Sequence, residues 1–416
     1  MTAVVDGLDS LDRRTRSASD VTLVAPEIFF GQVIAAAPAA NHALAVRGAE
    51  HLALRPLTLD VDGTRWSLRP ESGAVVGGPG AAGDDGSLLW ELTGQQFSDW
   101  VQELRTVTGF FTGRDTRMRH GRIEEFLGWE CVLRALTEAR PVYEPGSVRF
   151  LSPGGAELDL HSAFTPADDP ADVAWFLRQA GFLHLRGWLD PGDMASIDAD
   201  ISRALPSYQP DDGRSWWATL DDGSRRAVRL QNFVEHSPAT VEILSSSAWE
   251  RLRTTLDPNL VQPPVEGNVI EALVKPIGVS KGLSDLPWHR DCSLGSHPYS
   301  CCSVTVGISV TDSDHNSGQL RVVAGSHRAS VPAIGTYMEL DLPVVALPTE
   351  SGDLTVHLSC TLHEAVPPVT QERRVMYTGF NQPPRDDGGL GAYNAALREQ
   401  APILQDQPPN RGRDRG

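Results

Sequence analysis

Short apolar runs separated by turn residues dominate the C-terminal half of the chain. The runs are mostly rich in β-branched residues and are bounded by glycine, proline, asparagine or aspartate, which is the pattern of consecutive β-strands. Several short strands at close spacing are typical of a β-sandwich or jelly roll. We predict strands at residues 268–274, 303–310, 319–323, 343–347, 353–358 and 373–380.

Helical periodicity precedes these strands. An apolar segment at 172–180 stops at Gly181, and glycine is a common residue directly after a helix. Segments at 191–205 and 238–256 each follow an N-cap residue and open with proline at the first helical position. We therefore predict three helices ahead of the strand-rich region.

The N-terminal block mixes both patterns. Residues 93–107 and 125–138 place apolar side chains at helical intervals, whereas 64–68 and 147–151 have the character of strands. A cluster of proline and aspartate at 165–172 is the expected domain boundary. The predicted fold class is α+β, with a smaller N-terminal α+β domain ahead of a jelly roll with flanking helices. The predicted divisions are a flexible leader, an N-terminal domain, a C-terminal domain and a flexible tail, at residues 1–20, 21–165, 166–400 and 401–416.

Composition and charge narrow the function classes. The 416 residues include 36 Lys and Arg against 54 Asp and Glu, a net charge of −18, which disfavours a nucleic-acid partner. No run of about eighteen apolar residues is present, so we expect no membrane span. The first twenty residues lack an apolar signal core, and we expect a reduced, cytoplasmic protein. The five cysteines include no CxxC, which argues against a thiolate zinc site, and Cys301 and Cys302 are expected to pack in the core.

One short motif has the spacing of metal ligands. His289 and Asp291 are two residues apart, so on a strand both side chains point to the same face. Two histidines and one carboxylate on one face of an octahedron form the site of oxygen-activating non-haem iron enzymes. The pair by itself is weak, because about one chance His-x-Asp is expected in a chain of ordinary composition.

The surroundings of this pair carry a resemblance. Downstream come a Gly-x-Leu…Gly-Ser-His segment at 318–327, then Gly352-Asp353, then His363, then two arginines that open the last strand. Over residues 170–385 this order resembles the phytanoyl-CoA dioxygenase family of Fe(II)/2-oxoglutarate oxygenases. The resemblance implies a cupin-like double-stranded β-helix, with Fe(II), 2-oxoglutarate and O2 as the cofactor set. It also implies that His289, Asp291 and His363 are the iron ligands.

The resemblance further implies an arginine that pairs with the distal carboxylate of 2-oxoglutarate. Arg373 and Arg374 are both candidates, and only one can face the barrel interior because neighbours on a strand point to opposite sides. Lys275 is a candidate for a second co-substrate contact, or an exposed lysine beside proline. His327 and His357 are expected to have structural or supporting roles.

The expected reaction follows from the same resemblance. Halogenating relatives lack the carboxylate that Asp291 supplies, so oxygen transfer is expected here. The implied reaction is hydroxylation of an unactivated C–H bond of a small, lipid-like or natural-product substrate, with succinate and CO2 as co-products. Aromatic residues beside arginines suit a substrate with an apolar body and a polar handle, although a solvated loop has the same composition. The candidate substrate residues are Trp216, Trp217, Arg229, Gln231 and Asn232.

Two other functions stay open from the sequence. Residues 62–66, 93–107 and 129–136 resemble sterol-carrier-like lipid-binding domains, which suggests a lipid carrier whose oxygenase-like barrel is inactive. A cupin-like metal enzyme that does not use 2-oxoglutarate is the third reading. The oligomeric state is not predicted.

Overall fold

Two large hydrophobic cores organise the chain. The computed structural model describes residues 10–83, 86–282, 284–301, 303–332, 340–385 and 390–399. The first core draws its buried side chains from residues 29–142, and the second from Leu11 and residues 173–380. Phe150 and Phe164 pack against the second core, so the chain passes from one core to the other before the predicted boundary at 165.

The N-terminal domain is a five-stranded sheet covered by helices. Strand β1 pairs in parallel with β4, and the other pairs, in the order β3-β2-β1-β4-β5, are antiparallel. Aromatic rings fill the core, with Trp90 in contact with Trp100, Phe110 and Phe126. In chain order the elements are α1 (Pro26–Ile28), a π-helical turn (Phe29–Val33), α2 (Ile34–Ala36), α3 (Ala39–His51), β1 (Leu57–Val61), β2 (Thr64–Glu71), β3 (Ala74–Pro79), β4 (Leu88–Leu92), α4 (Gly94–Val101), α5 (Val107–Gly113), β5 (Arg117–Arg119) and α6 (Ile123–Glu138).

The helix predicted over 93–107 is two helices. Thr93 caps α4 by accepting a hydrogen bond from the Gln96 amide, and the helix ends after Val101. Glu103 then takes a left-handed conformation, with φ of 62°. Thr106 caps α5 by accepting from the Gly109 amide, so a second N-terminal signal starts a separate helix.

The C-terminal domain contains two antiparallel sheets. Eight strands lie in the order β10-β7-β8-β9-β16-β11-β14-β6, and three in the order β13-β12-β15. This confirms the predicted α+β class with a jelly roll. The elements are α7 (Pro170–Ala180), β6 (Phe182–Leu185), α8 (Pro191–Ala204), β7 (Ser215–Leu220), β8 (Arg225–Leu230), α9 (Pro238–Leu244), α10 (Ser247–Leu256), β9 (Glu271–Lys275), β10 (Val279–Lys281), α11 (His297–Ser300), β11 (Val304–Ser309), β12 (Leu320–Val323), β13 (Val344–Leu347), β14 (Leu354–Leu358), β15 (His363–Ala365), β16 (Arg373–Phe380) and α12 (Leu390–Glu399).

Two local predictions in and ahead of this domain are wrong. The helix expected over 238–256 is interrupted because Ser246 caps a new helix by accepting from the Trp249 amide. The strand expected at 147–151 does not form, and Leu151 makes only an isolated bridge with Glu157.

The described part of the predicted flexible leader, residues 10–20, is packed against the rest of the protein. Leu11 is 2% exposed and belongs to the second core. Arg14 is buried and donates a hydrogen bond of 2.9 Å to the Pro383 carbonyl. The amides of Thr15 and Arg16 both donate to the Pro298 carbonyl. An apolar side chain and two backbone anchors therefore order a segment whose composition suggested flexibility. The predicted tail at 401–416 lies outside the described residues.

Among the described residues, no single helix is long and apolar enough to cross a membrane. One bent pair, Pro26–Ala36 with Ala39–His51 at 107°, meets the criterion by length and composition alone.

Candidate active site

His289 and His363 are held side by side by their own backbones. Each donates its amide to the other's carbonyl at 3.0 Å, which forms an isolated antiparallel bridge. The Nδ1 of His289 lies 2.7 Å from the Pro287 carbonyl, and the Nδ1 of His363 lies 2.9 Å from the Thr361 carbonyl. Since a carbonyl only accepts, Nδ1 carries the proton in both rings, and both Nε2 atoms keep a lone pair for a metal.

Asp291 stands between these two rings. Its Oδ1 is 3.6 Å from the Nε2 of both His289 and His363. Its Oδ2 accepts a hydrogen bond of 2.8 Å from Thr305 and lies 3.4 Å from the Nε2 of His357. The carboxylate is therefore oriented by Thr305 and His357, while Oδ1 stays directed toward the two candidate ligands.

The electrostatics favour the protonation states that bind metal. Burial by itself raises the pKa of Asp291, but His363, His357 and His289 around it hold that pKa well below its ordinary value. Burial also lowers the pKa of His289, and burial together with the neighbouring His357 lowers the pKa of His363 well below its usual range. An ionised carboxylate and neutral imidazoles are the forms that coordinate a metal.

These three side chains fit a mononuclear iron site. Their ligand atoms all lie within 4.8 Å of one another. The side chain of His363 is 7% exposed, whereas those of His289 and Asp291 are 25% and 32% exposed, so one side of the triad opens outward. Two imidazoles and one carboxylate on one side of a metal leave further coordination positions for small ligands.

Arg373 lies on the inner face of the eight-stranded sheet, the face that carries Thr305 and His357. Thr305 is paired with His357 on one side and with Gly379 on the other, and Arg373 is six residues before Gly379 on the same strand. Paired residues of an antiparallel ladder, and every second residue along a strand, share a face. The Arg373 side chain therefore extends into the space between the sheets.

The guanidinium of Arg373 is buried with donors to spare. The residue is 3% exposed, and the guanidinium donates to the Gly318 carbonyl and, at 3.3 Å, to the Tyr377 hydroxyl. An arginine has five N–H groups, so three of them have no partner among the described residues, and Nε is one of these. No carboxylate in the described part of the chain forms an ion pair with it, which makes Arg373 a fitting anchor for a carboxylate ligand.

Arg374 and Lys275 are already engaged. Arg374 points to the helical side of the sheet, where it binds Asp198 at 2.9 Å and Ser202 at 2.7 Å. Lys275 is directly opposite Arg373 in the β9–β16 ladder, but its Nζ lies 2.9 Å from Asp285 in a buried ion pair. The alternative of an exposed lysine is thus wrong, because the β9 register buries this side chain.

The predicted substrate residues separate into two groups. Arg229 lies with its guanidinium 4.6 Å from the Trp216 ring and is ion-paired with Glu271, and Gln231 donates to the same carboxylate at 3.2 Å. The register places Glu271 on the face of Lys275, so this group lines the inner side of the sheet.

The other two substrate candidates have structural contacts. Trp217 is partly buried against the second core and donates its indole N–H to Ser215 at 2.9 Å. The backbone of Asn232 is left-handed, with φ of 54°, and its backbone N–H donates to the side-chain oxygen of Asn268. Trp217 therefore has a packing role, and Asn232 is linked to the Glu271 carboxylate only through Asn268, which donates to that carboxylate at 3.0 Å.

Three contributors were missed by sequence reasoning, namely Thr305, Glu271 and Tyr377. Each of these residues lies on the inner face of the eight-stranded sheet, which is the face of Arg373. Each is a polar residue within an apolar run. That interruption of the apolar pattern is the signal that could have revealed them.

Solved structures similar to part of this chain share 20% of its sequence or less. No curated protein matches the sequence. Similar solved structures include AviO1 from Streptomyces viridochromogenes Tue57, with 20% identity, coverage of 52% of this chain and 96% of that chain, and a TM-score of 0.41. EvdO2 from Micromonospora carbonacea var. aurantiaca, complexed with 2-oxoglutarate, has 19% identity, coverage of 50% and 89%, and a TM-score of 0.38. The non-heme alpha ketoglutarate dependent epimerase SnoN from nogalamycin biosynthesis has 20% identity, coverage of 53% and 86%, and a TM-score of 0.41.

The family comparison covers the jelly roll from the end of α7 to the middle of β16. Residues 177–376 match the family model of phytanoyl-CoA dioxygenase (PhyH). This segment contains the triad of His289, Asp291 and His363 together with Arg373. Over these residues the chain is similar to the PhyH family, which depends on Fe(II) and 2-oxoglutarate and requires O2.

Proposed function

We propose that this protein hydroxylates an unactivated C–H bond of a small amphipathic molecule, using His289, Asp291 and His363 as iron ligands and Arg373 as the anchor of 2-oxoglutarate. The observation that carries the proposal is the buried guanidinium of Arg373, which has no carboxylate partner among the described residues and shares an inner sheet face with the residues that orient Asp291. Fe(II), 2-oxoglutarate and O2 together supply the oxidant that removes a hydrogen atom from carbon, with succinate and CO2 as co-products.

The chain's own residues prepare this chemistry. The Pro287 and Thr361 carbonyls fix the rings of His289 and His363 through Nδ1, so that both Nε2 atoms converge. Thr305 and His357 hold Asp291 through Oδ2. These preset orientations lower the conformational cost of binding the metal.

Arg373 selects the co-substrate. Its fork of parallel N–H groups matches the two oxygens of a carboxylate, a geometry that an ammonium group does not offer. The charge of Lys275 is balanced by Asp285, and their ion pair holds the segment around Asp285 in place. Lys275 therefore does not compete with Arg373 for 2-oxoglutarate.

We assign the substrate's polar handle to the Trp216–Arg229–Gln231 group. The indole of Trp216 offers an apolar surface beside a guanidinium, while Glu271 orients both Arg229 and Gln231. A molecule with an apolar body and an anionic or hydrogen-bonding end fits this arrangement.

The experiment is an anaerobic titration with Fe(II) and 2-oxoglutarate, followed by the weak visible charge-transfer band of the chelate. The wild type is expected to show the band, and His289→Ala is expected to abolish it. Arg374→Ala is the matched control for Arg373→Ala, because the two side chains are sequence neighbours on opposite faces of one strand. Absence of the band in folded wild-type protein would refute the proposal and favour the inactive lipid carrier.

The reaction type is tested separately. Candidate amphipathic substrates are screened by succinate release, and products are analysed by mass spectrometry. A product heavier by one oxygen atom is expected. A product of unchanged mass, or one lighter by two hydrogens, would instead indicate epimerisation or desaturation.

A further inference from the structure

A second group of metal-ligating side chains lies next to the triad. Cys292, His297, Cys301 and Cys360 place their ligand atoms within 4.8 Å of one another. The Sγ of Cys360 lies 3.6 Å from the Nδ1 of His297. Cys301 and Cys360 are buried, at 1% and 3% exposure, and Cys292 packs against them.

The composition of this group is that of a structural zinc site. Three thiolates and one imidazole form one of the standard tetrahedral zinc environments, with Zn–S near 2.3 Å and Zn–N near 2.0–2.1 Å. Tetrahedral angles at those bond lengths put neighbouring ligand atoms about 3.6–3.8 Å apart. The observed separation of Cys360 and His297 agrees with this value. Soft sulfur ligands also disfavour magnesium, calcium and manganese, which prefer oxygen.

The group joins the chain segments that carry two of the iron ligands. Cys292 directly follows Asp291, and Cys360 is three residues before His363. The Cys292 amide donates to the Ser359 carbonyl at 3.2 Å, so the two segments already touch. A cavity of about 60 Å³ is lined by Asp291 as well as by Cys292, His297 and Cys301.

The loop between Cys292 and Cys301 also contacts the N-terminal domain. The Ser296 amide donates to the Glu103 carbonyl at 2.5 Å, and the Thr106 amide donates to the Leu294 carbonyl at 3.2 Å. Gly295 has φ of 150°, and a Cβ at this position would collide with the Leu104 carbonyl. Glycine permits this close approach of two backbones, so the loop packs directly against the backbone of Leu104.

We propose that Cys292, His297, Cys301 and Cys360 bind one zinc ion, which ties the Asp291 and His363 segments together and holds the 292–301 loop against the N-terminal domain. This metal is structural, because the four protein ligands complete a tetrahedral shell and leave no open position. The site is independent of the proposed hydroxylase function, since its occupancy requires neither 2-oxoglutarate nor substrate turnover.

The test is elemental analysis of the purified full-length chain, expressed with zinc and iron in the medium. One zinc per chain is expected in the wild type, and Cys301→Ser and Cys360→Ser should lose most of it. Cys131→Ser is the matched control, because the buried thiol of Cys131 lies in α6, outside the group. This variant should contain as much zinc as the wild type. His289→Ala should also keep its zinc, which distinguishes this site from zinc bound in place of iron.

If a cysteine variant does not fold, a measurement on the wild type tests whether these thiols bind zinc. A mercurial reagent titrates the thiols while a chromogenic chelator measures released zinc. Zinc should be released in step with thiol modification and not by the chelator alone. Wild-type protein without zinc, undiminished zinc in both cysteine variants, or a disulfide between two of these cysteines in non-reduced peptides would each overturn the proposal.

Discussion

Replacement of Arg373 by alanine is expected to weaken 2-oxoglutarate binding by about 10²- to 10⁴-fold. Two of its five N–H groups bind Gly318 and Tyr377, which leaves enough donors for a bidentate contact. Each hydrogen bond to a charged group contributes about 1.5–3 kcal/mol, so two contribute about 3–6 kcal/mol. At about 1.4 kcal/mol per factor of ten, this gives the stated range.

The stability of the same variant separates a binding role from a structural one. Without 2-oxoglutarate, the native guanidinium is a buried charge with no carboxylate partner among the described residues, and such a charge costs several kcal/mol. Its two hydrogen bonds both involve this charged group and return about 3–6 kcal/mol in total, which is similar in size to that cost. The free energy of unfolding of cofactor-free Arg373→Ala should therefore be close to that of the wild type or above it.

The assay is the 2-oxoglutarate dissociation constant, measured anaerobically with Fe(II), alongside urea unfolding without cofactors. Arg373→Lys should bind with intermediate strength, since it keeps the charge but loses the fork. Arg374→Ala should bind 2-oxoglutarate as the wild type does. Normal binding by Arg373→Ala, or a large loss of stability with no change in binding, would show that the reasoning is wrong.

Three further predictions concern the site and the fold. His357→Leu removes a side chain that orients Asp291, so iron affinity should fall about 10- to 100-fold in competition with a chelator, and an unchanged affinity would remove that role. Burial, together with the charge of Arg13, lowers the pKa of His327 to about 3, against about 6.5 unfolded, so the unfolded chain binds more protons between these values. The free energy of unfolding should therefore fall as the pH drops below about 6.5, by on the order of 4–5 kcal/mol once the pH is below about 3. The measurement is the free energy of unfolding in urea at several pH values between about 4.5 and 7.5. In His327→Gln this free energy should depend less steeply on pH than in the wild type. Leu11→Ala should lower the free energy of unfolding by about 2–5 kcal/mol in urea, whereas a flexible leader predicts no change.

Local sequence predicted most of the strands and the pairing of His289 with Asp291 in the candidate iron site. A two-residue spacing is enough to bring His289 and Asp291 to one face, and the apolar alternation of β16 matched its observed bounds, Arg373–Phe380. Capping residues likewise located the starts of α8 and α9, at Asp190 and Ser237. These signals are readable because they act within one element, where the period of the backbone fixes the direction of each side chain.

Only the tertiary structure decided which groups meet across elements. The sequence did not distinguish Arg373 from Arg374. The pairing of β16 with β9 and β11 directs Arg373 to the inner face of the sheet and Arg374 toward Asp198 in α8. Nothing in the leader's composition indicated that Leu11 would find a place in the second core.

The cysteine–histidine group shows the same limit most clearly. Absence of a CxxC motif argued against thiolate zinc, yet Cys292, Cys301 and Cys360 converge with His297. Their separations along the chain follow no ligand pattern, because the convergence is produced by the bridge between the His289 and His363 strands and by the contact of the 292 and 359 segments. Sequence determines the chemistry available at each position, and long-range pairing of strands determines which of those positions share a site.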